Sequence, residues 1–310
     1  MSHQDQKRQI EYSQNDTTPS DIESQQRPGA SVPASPAHGR QAVAQGKGPK
    51  GFEYHYAEIF ADRWPKLSEA LQQDGVHEEL GQPLCRSYFL DPASAEAAGA
   101  LDIQPGMRVL DMCAAPGGKA VAMLHKFLKN YPHGEIDLTL NERSASRRAR
   151  LQRVLNDSVP SWSRSAIRVT SHDARKWGLH EQNMYDVILL DTPCSSERHL
   201  IQEPKTLRNW NPKRSMRLAL DAYAMLAAAL TALRPGGTVL YLTCALSPLE
   251  NDGVIAKAIQ RRGSEFEVLP APPLSDAEPS RHGCIVLPDH AGGRGPLFAA
   301  LLRKHRVDTS

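Results

Sequence analysis

The chain has 310 residues, enough to bury a hydrophobic core in one large domain or two small ones. Its formal net charge is only +2, so any site for a polyanion must be a local patch. No apolar run is long enough to span a membrane, and the polar start MSHQDQKRQI predicts no secretory signal.

Five cysteines are scattered along the chain, at positions 85, 113, 194, 244 and 284. Their odd number and the lack of CxxC spacing argue against a disulfide framework and against a zinc site. They indicate a reducing compartment, and we expect the cytoplasm, or the mitochondrion if the source is eukaryotic. Acidic residues between positions 5 and 23 argue against a mitochondrial transit peptide.

Composition divides the chain into three parts. Residues 1–50 are rich in Gln, Ser, Pro and Gly and lack apolar periodicity, which predicts a disordered tail. Residues 51–90 interleave aromatic side chains with charges and predict a small helical extension. Those aromatics could stack on unpaired bases, although packing in a core is the commoner role. Residues 91–305 form the predicted main domain, whose first helix starts with Asp91 as N-cap and Pro92.

Strands and helices alternate through the main domain. Predicted strands end near Leu110 and cover 136–141, 166–170, 186–191 and 238–243, with further short strands near the C-terminus; predicted helices cover 118–130, 144–155, 215–233 and 248–262. This alternation predicts an α/β fold of the doubly wound, Rossmann-like type, with a mostly parallel sheet, helices on both faces and ligands at the carboxyl ends of the strands.

The stretch MRVLDMCAAPGGKA, residues 107–120, reads as a strand, a tight glycine turn and a helix start. Glycines would let the backbone approach a ligand, and the helix N-terminus would attract an anionic group. A P-loop is disfavoured because Cys113 stands where its first glycine belongs and Ala120 replaces the Ser or Thr that binds magnesium. An ordinary strand-to-helix turn remains an alternative for this stretch alone.

Acidic residues follow the other strand ends at the same predicted edge. Glu142, about 30 residues after the first acid, suits a ribose diol, and Asp173 could accept a hydrogen bond from an adenine amino group. No cluster of basic residues suited to a triphosphate accompanies them. The pattern therefore favours an adenosine ligand without a triphosphate, namely S-adenosylmethionine.

Two cysteines stand just past the last two parallel strands, Cys194 after Asp191-Thr192-Pro193 and Cys244 after Thr243. Neighbouring strands lie about 5 Å apart, so both thiols would be within reach of each other and of the cofactor. A single cysteine is more often a small buried hydrophobe. Two of them at these positions favour a functional pair, whose nucleophile would need nearby positive charge.

The motifs DMCAAPGGKA, DTPCSS and LTCALSP, in this order, resemble the RsmB/NSUN family of RNA cytosine-5 methyltransferases. The resemblance extends over residues 51–305 and also includes YFLDPASA, NERSASRRARL, SHDAR and GPLFAALLR. It is closest to the short, mitochondrial-type members that act on rRNA or tRNA. The family resemblance implies a class I methyltransferase fold with a seven-stranded sheet.

By this resemblance Cys244 is the nucleophile that adds to cytosine carbon 6, Asp191 hydrogen-bonds ring N3, and Cys194 assists loss of the carbon-5 proton. It also implies that Asp191 contacts S-adenosylmethionine. The other implied contacts are Cys113, Ala114, Ala115, Pro116, Gly117, Gly118, Lys119, Glu142, Arg147 and Asp173. This chain has Ala120, Ser196 and Ala245 where the family usually has Thr, Gly and Ser. These departures concern affinity and pocket shape.

The expected partner is RNA, rRNA before tRNA, with a protein or ribosomal particle as an additional source of specificity and no membrane. A basic cluster beyond Cys194 could bind phosphates; it comprises Lys205, Arg208, Lys213, Arg214 and Arg217. The arginines near 143–153 are expected to be solvated, except Arg147. Two alternatives stay open: a noncatalytic RNA-binding or assembly factor, and a DNA cytosine-5 methyltransferase, in which Cys194 would be the nucleophile.

Overall fold

The computed structural model describes residues 46–306. Most of the tail predicted for residues 1–50 lies outside the described residues. Its last positions belong to the start of the fold, because helix α1 (Gly48–Phe60) begins two residues before the predicted boundary. Within residues 46–306, no helix combines the length and the apolar character that a membrane crossing requires.

The segment before residue 91 contains two helices and a small hairpin. After α1, a 3-10 turn (Ala61–Arg63) leads into α2 (Trp64–Gln72). Strands β1 (Glu78–Leu80) and β2 (Tyr88–Leu90) then pair antiparallel in a separate two-stranded sheet.

Aromatic residues of α1 and α2 form a core with a later part of the chain. Phe52, Tyr56 and Trp64 are almost fully buried and pack against Leu200 and Trp210. Burial confirms packing as the role of these three rings and leaves their faces unavailable to nucleic-acid bases, whereas Tyr54 on the same helix is exposed. The same packing fixes α1 and α2 against the segment that follows Cys194.

A nine-stranded sheet forms the centre of the molecule. Its strands are β3 (Arg108–Asp111), β4 (Asp137–Asn141), β5 (Ile167–Thr170), β6 (Tyr185–Asp191), β7 (Leu233–Thr243), β8 (Phe266–Val268), β9 (Glu278–Pro279), β10 (Cys284–Val286) and β11 (Leu297–Lys304). Their order is β5-β4-β3-β6-β7-β11-β10-β9, and β8 also pairs with β11.

The first five of these strands are parallel, whereas β8 to β11 add antiparallel pairs at one side. The prediction of a Rossmann-like sheet with a parallel centre is therefore confirmed. The sheet has nine strands where the family resemblance implied seven; β8 is among the short C-terminal strands predicted, and the two-residue β9 is not. Strands this short carry almost no alternation of apolar and polar residues in the sequence.

Helices cover both faces of the sheet. They are α3 (Pro92–Gly99), α4 (Gly118–Asn130), α5 (Ala145–Ser158), α6 (Ser161–Arg164), α7 (Glu197–Gln202), α8 (Pro204–Leu207), α9 (Lys213–Ala232) and α10 (Asp252–Arg262), with a 3-10 turn over Ala174–Leu179. Successive β6 residues alternate between two cores: Val187 and Leu189 face the α3–α5 side, Ile188 and Leu190 the α9–α10 side. Both faces of β6 are thus buried, as a continuous apolar run predicts.

Parallel pairing brings the strand ends to one edge. Asp111 pairs with Leu189 of β6, and Asp191 pairs with Leu242 of β7. The loops that follow β3, β4, β6 and β7 therefore start side by side, and these loops carry the acids and cysteines singled out above.

One testable consequence concerns Asp91, the predicted N-cap of α3. Its Oδ1 accepts from the Ser94 amide at 3.0 Å, which confirms that role, and its Oδ2 accepts from the Gly295 amide at 2.9 Å. We expect Asp91→Ala to lower the free energy of unfolding by about 1–2 kcal/mol, measured by urea denaturation. Asp91→Asn keeps an acceptor for Ser94 and should recover part of the loss. Asp102→Ala, at an exposed carboxylate, is the control; equal effects of the two alanine variants would contradict the assignment.

Candidate functional site

The first loop of the site follows β3 and is fixed by its own backbone. Buried Asp111 accepts from the Cys113 amide at 3.1 Å, and the Ala114 amide donates to the Asn141 carbonyl at 2.9 Å. Burial raises the pKa of Asp111 to about 7. The second of these bonds ties the loop to the end of β4.

The glycines of the turn are closely surrounded by the chain itself. Gly117 has φ of +118° and caps α4, and a side chain there would meet Leu151 and Val154 at 3.1 Å. A Cβ on Gly118 would meet Leu90 at 2.9 Å and Tyr88 at 3.1 Å. The hairpin and α5 therefore exclude larger residues at both positions, and the expected contact of these glycines with a ligand stays a prediction.

A cavity of about 220 Å³ lies at the ends of β3 and β4. Among the predicted cofactor residues, those that line it are Cys113, Glu142, Arg147 and Asp173. The predicted residues at 114–119 lie outside this lining. The structure thus brings together the predicted ribose, adenine and first loop positions at one cavity, whereas contact of residues 114–119 with a cofactor stays a prediction.

Glu142 is almost completely buried at the cavity wall. Its Oε1 accepts from the Ser144 amide at 2.7 Å, and its Oε2 lies 3.1 Å from Arg147 Nη1. Arg147 also donates to the Ala115 carbonyl at 2.5 Å. Arg147 therefore links the β4 acid to the glycine turn, and it holds the carboxylate in one orientation.

Asp173 provides a second carboxylate at the cavity. It accepts from the amide and guanidinium of Arg175, at 3.1 Å and 2.7 Å, and also faces Arg143 at 3.3 Å. The hydrogen bonds from Arg175 lower the pKa of Asp173 to about 2. The carboxylate is consequently charged at all ordinary pH values.

Lys119 lies on the other side of the glycine turn and points to the end of β6. Its Nζ donates to Asp191 Oδ2 at 2.7 Å. Burial opposes the charged amine, but the Asp191 carboxylate outweighs burial and raises the pKa of Lys119. Lys119, expected among the cofactor contacts, is therefore joined to the predicted catalytic acid.

The two loop cysteines are in direct contact. Cys194 Sγ lies 2.8 Å from Cys244 Sγ, and Ser196 Oγ lies 3.1 Å from the same Cys244 sulfur. Both cysteines are free thiols. The structure thus brings together Asp191, Cys194 and Cys244 at adjoining strand ends, as their positions in the sequence predicted.

Hydrogen bonding shifts the pKa values of the two thiols in opposite directions. The bond donated by Cys194 lowers the pKa of Cys244; burial opposes this shift, while Ser196 and the positive charge of Lys119 support it. Donating that bond, together with burial, raises the pKa of Cys194 well above its usual range. Cys244 is therefore the more acidic thiol of the pair, and Cys194 donates to it.

Sequence reasoning missed three polar residues around these thiols. Ser196 was noted only as a departure from glycine, although its hydroxyl contacts the Cys244 sulfur. Glu197 and Glu250 are fully buried beside the cysteine loops. Their proximity to the cysteines in the sequence, three and six residues after them, is the only signal that could have indicated a role.

The basic cluster beyond Cys194 surrounds the short helices α7 and α8 and the start of α9. All its members are exposed: Lys205, Arg208, Lys213, Arg214 and Arg217. None of them belongs to an ion pair within residues 46–306. Their charges are therefore available to an anionic partner.

The inequality of the thiols can be measured directly. We expect Cys244 to react with iodoacetamide with a pH midpoint below that of exposed Cys85 in the same protein, because the reactive species is the thiolate. Cys194→Ala should raise the Cys244 midpoint, and Cys284→Ala, at a cysteine away from the pair, should not. Peptide mass spectrometry gives the rate at each cysteine. Equal midpoints for Cys244 and Cys85 in the unmodified protein would contradict this account.

Several known proteins are similar in sequence to this chain. The chain is similar to 5-cytosine rRNA methyltransferase NSUN4 of Xenopus laevis, with 37% identity over 69% of this chain and 55% of the relative. It is also similar to the mitochondrial tRNA (cytosine(34)-C(5))-methyltransferase of Danio rerio, with 35% identity over 70% of this chain and 60% of the relative. The chain thus spans little more than half the length of these curated relatives.

Among solved structures, NSun6 from Pyrococcus horikoshii with SFG matches at a TM-score of 0.58, with 25% identity over 72% of this chain and 54% of that chain. The family model described as 16S rRNA methyltransferase RsmB/F matches residues 98–303, which include the glycine turn, Asp191 and both loop cysteines. The chain belongs to the RsmB/F family of methyltransferases.

Proposed function

We propose that this protein is an S-adenosylmethionine-dependent RNA (cytosine-5-)-methyltransferase that forms 5-methylcytosine through a covalent adduct with Cys244. One observation carries the proposal: the Cys194 and Cys244 sulfur atoms are 2.8 Å apart, beside the Lys119–Asp191 ion pair. Family membership and the names of the relatives support the same reaction.

The residues at the cavity fit S-adenosylmethionine. Buried Glu142 suits the ribose hydroxyls, ionised Asp173 suits the adenine amino group, and Cys113 suits the methionine part. The turn that follows Cys113, residues 114–119, lies outside the cavity lining and is assigned to the methionine part by the family resemblance. The solved relative with SFG, an analogue of this cofactor, supports the assignment. When bound, S-adenosylmethionine supplies a methyl group on a positively charged sulfur.

Covalent addition explains why the site contains a thiolate. Carbon 5 of cytosine is a weak nucleophile, and addition of the Cys244 sulfur to carbon 6 turns the ring into an enamine that is nucleophilic at carbon 5. The displaced electron pair reaches N3, which takes up a proton. The Lys119–Asp191 pair lies beside Cys244 and can supply that proton through Asp191.

Release of the product requires a base and a leaving group. After carbon 5 carries the methyl group, Cys194 passes its own proton to the Lys119–Asp191 pair, which has given one to N3, and its thiolate then takes the carbon-5 proton. The proton on N3 leaves to water as the neutral base is released. The carbon 5–carbon 6 double bond re-forms, and the electron pair of the carbon–sulfur bond returns to Cys244. The raised pKa of Cys194 suits this step, because its thiolate is then a strong base.

We propose rRNA before tRNA as the substrate, because the family description and the Xenopus laevis relative both name rRNA. The exposed basic cluster after Cys194 supports phosphate contacts. A protein or ribosomal-particle partner would add specificity for one cytosine. Free cysteines at the site support a reducing compartment, either the cytoplasm or, in a eukaryote, the mitochondrion as in the name of the Danio rerio relative.

Two cysteine variants test the chemistry. With methyl-labelled S-adenosylmethionine and total rRNA depleted of 5-methylcytosine, we expect Cys244→Ala to reduce methyl transfer by more than about a thousandfold, because the covalent step is lost. Cys194→Ala should accumulate a protein–RNA adduct that survives denaturing electrophoresis, because release is blocked. Cys284→Ala should behave as the unmodified protein.

The same measurements separate the alternatives. A DNA cytosine-5 methyltransferase would lose activity on Cys194→Ala, keep it on Cys244→Ala and label DNA in preference to RNA. A noncatalytic RNA-binding factor would bind RNA without transferring label in any variant. Bisulfite sequencing of RNA from cells with and without the gene would then identify the modified cytosine.

A further inference from the structure

The loops that carry the two cysteines are joined by a crossed pair of hydrogen bonds. Glu197 follows the Cys194 loop, and its Oε2 accepts from the Leu246 amide, in the Cys244 loop, at 2.8 Å. Glu250 follows the Cys244 loop, and its Oε2 accepts from the Ser195 amide, in the Cys194 loop, at 2.8 Å. Each loop thus carries the acceptor for the other loop's backbone.

Both carboxylates are inaccessible to water. Glu197 is 0% exposed and Glu250 1% exposed. Water does not compete for these buried hydrogen bonds. Burial and the neighbouring Glu197 raise the pKa of Glu250 to about 7, so its charge varies near neutral pH, whereas its reach to the Ser195 amide does not. The term loop clamp denotes Glu197, Glu250 and the two backbone amides that donate to them.

Further donors hold the Glu197 carboxylate and the backbone of Glu250 in place. Glu197 Oε1 accepts from the Tyr56 hydroxyl at 2.5 Å and from the Ser195 hydroxyl. The backbone carbonyl of Glu250 accepts from the Tyr241 hydroxyl at 2.6 Å. The clamp is thereby connected both to α1, through Tyr56, and to the centre of β7.

Contact between the two sulfur atoms depends on the separation of these loops. Cys194 and Cys244 lie on different chain segments, and a thiol–thiolate hydrogen bond weakens steeply as its donor and acceptor move apart. Among the described residues, the loop clamp provides the side-chain bonds that cross directly from one cysteine loop to the backbone of the other.

We propose that Glu197 and Glu250 are positioning residues, whose crossed hydrogen bonds hold the cysteine loops at the separation that keeps the two sulfur atoms in contact. The inference rests on the proposed role of Cys244 as nucleophile. It assigns to both acids an effect on reactivity in addition to any effect on stability.

Length and charge of the side chains can be varied separately in the full-length protein. Glu197→Asp and Glu250→Asp keep the carboxyl group and shorten the reach. Glu197→Gln and Glu250→Gln keep the reach and remove the ionisable group, because the amide oxygen still accepts from the backbone. In Glu197→Gln, the Tyr56 and Ser195 hydroxyls can also turn to accept from the new NH₂ group.

We expect each aspartate variant to raise the pH midpoint for iodoacetamide alkylation of Cys244 by about one unit. Alkylation below both midpoints then becomes about tenfold slower. The glutamine variants should keep the midpoint within about 0.3 units. Exposed Cys85, in the same reduced protein, is the internal reference and should not change.

Asp186→Ala is the matched control for a merely structural effect. Asp186 is also a buried carboxylate that accepts from a backbone amide, that of Arg108 at 2.8 Å, but it lies at the opposite end of β6. We expect this variant to lower the melting temperature without moving the Cys244 midpoint.

An unchanged Cys244 midpoint in folded aspartate variants would overturn the proposal, and so would a shift in the glutamine variants as large as that in the aspartate variants. If an aspartate variant does not fold, Tyr56→Phe is measured against Tyr54→Phe, at an exposed tyrosine. A higher midpoint in Tyr56→Phe alone supports the clamp, and equal midpoints contradict it.

The alkylation assay needs neither RNA nor methyl transfer. Retained activity in Cys244→Ala would therefore contradict the proposed function, whereas the Cys244 midpoints decide the clamp independently. Where the proposed function and the loop clamp both hold, the aspartate variants should also lower kcat about tenfold. They should not change KM for S-adenosylmethionine, because the cavity acids are not altered.

Discussion

The parallel pairing of β6 with β7 is the constraint on which the candidate site depends. This register aligns Asp191 with Leu242 and continues past the strand ends, because the Thr192 amide donates to the Leu242 carbonyl at 3.0 Å. A shift of one residue would turn the alternating β6 side chains toward the opposite cores. It would also separate the cysteine loops, so the packing of the sheet and the geometry of the thiols are fixed together.

Much of this arrangement could be predicted from the sequence, because it follows from the spacing of apolar residues and from which residues stand just past each apolar run. Apolar runs bounded by turns predicted the parallel strands, and residues just past those runs necessarily meet at one edge of a parallel sheet. Asp191, Cys194 and Cys244 came together for this reason. The N-cap at Asp91 was equally predictable, because the Asp-Pro pattern and the hydrogen bond from Ser94 both lie within four residues.

The parts that could not be predicted depend on contacts between distant residues. The Lys119–Asp191 ion pair joins residues 72 positions apart, and nothing in the glycine turn indicates which way the lysine points. The crowding around Gly117 and Gly118 comes from α5 and β2, whose packing is decided only in three dimensions. Glu197 and Glu250 look like ordinary loop acids until their burial is known.

The separation in sequence of the clamp partners has a consequence for the newly synthesised chain. Ser195 and Glu250 are 55 positions apart, and Leu246 and Glu197 are 49 positions apart. Neither bond can form before β7 has been made and has paired with β6. Until then both cysteines are ordinary thiols with ordinary pKa values, little ionised at neutral pH. The lowered pKa of Cys244 is therefore a product of completed folding, and an unfinished chain lacks it.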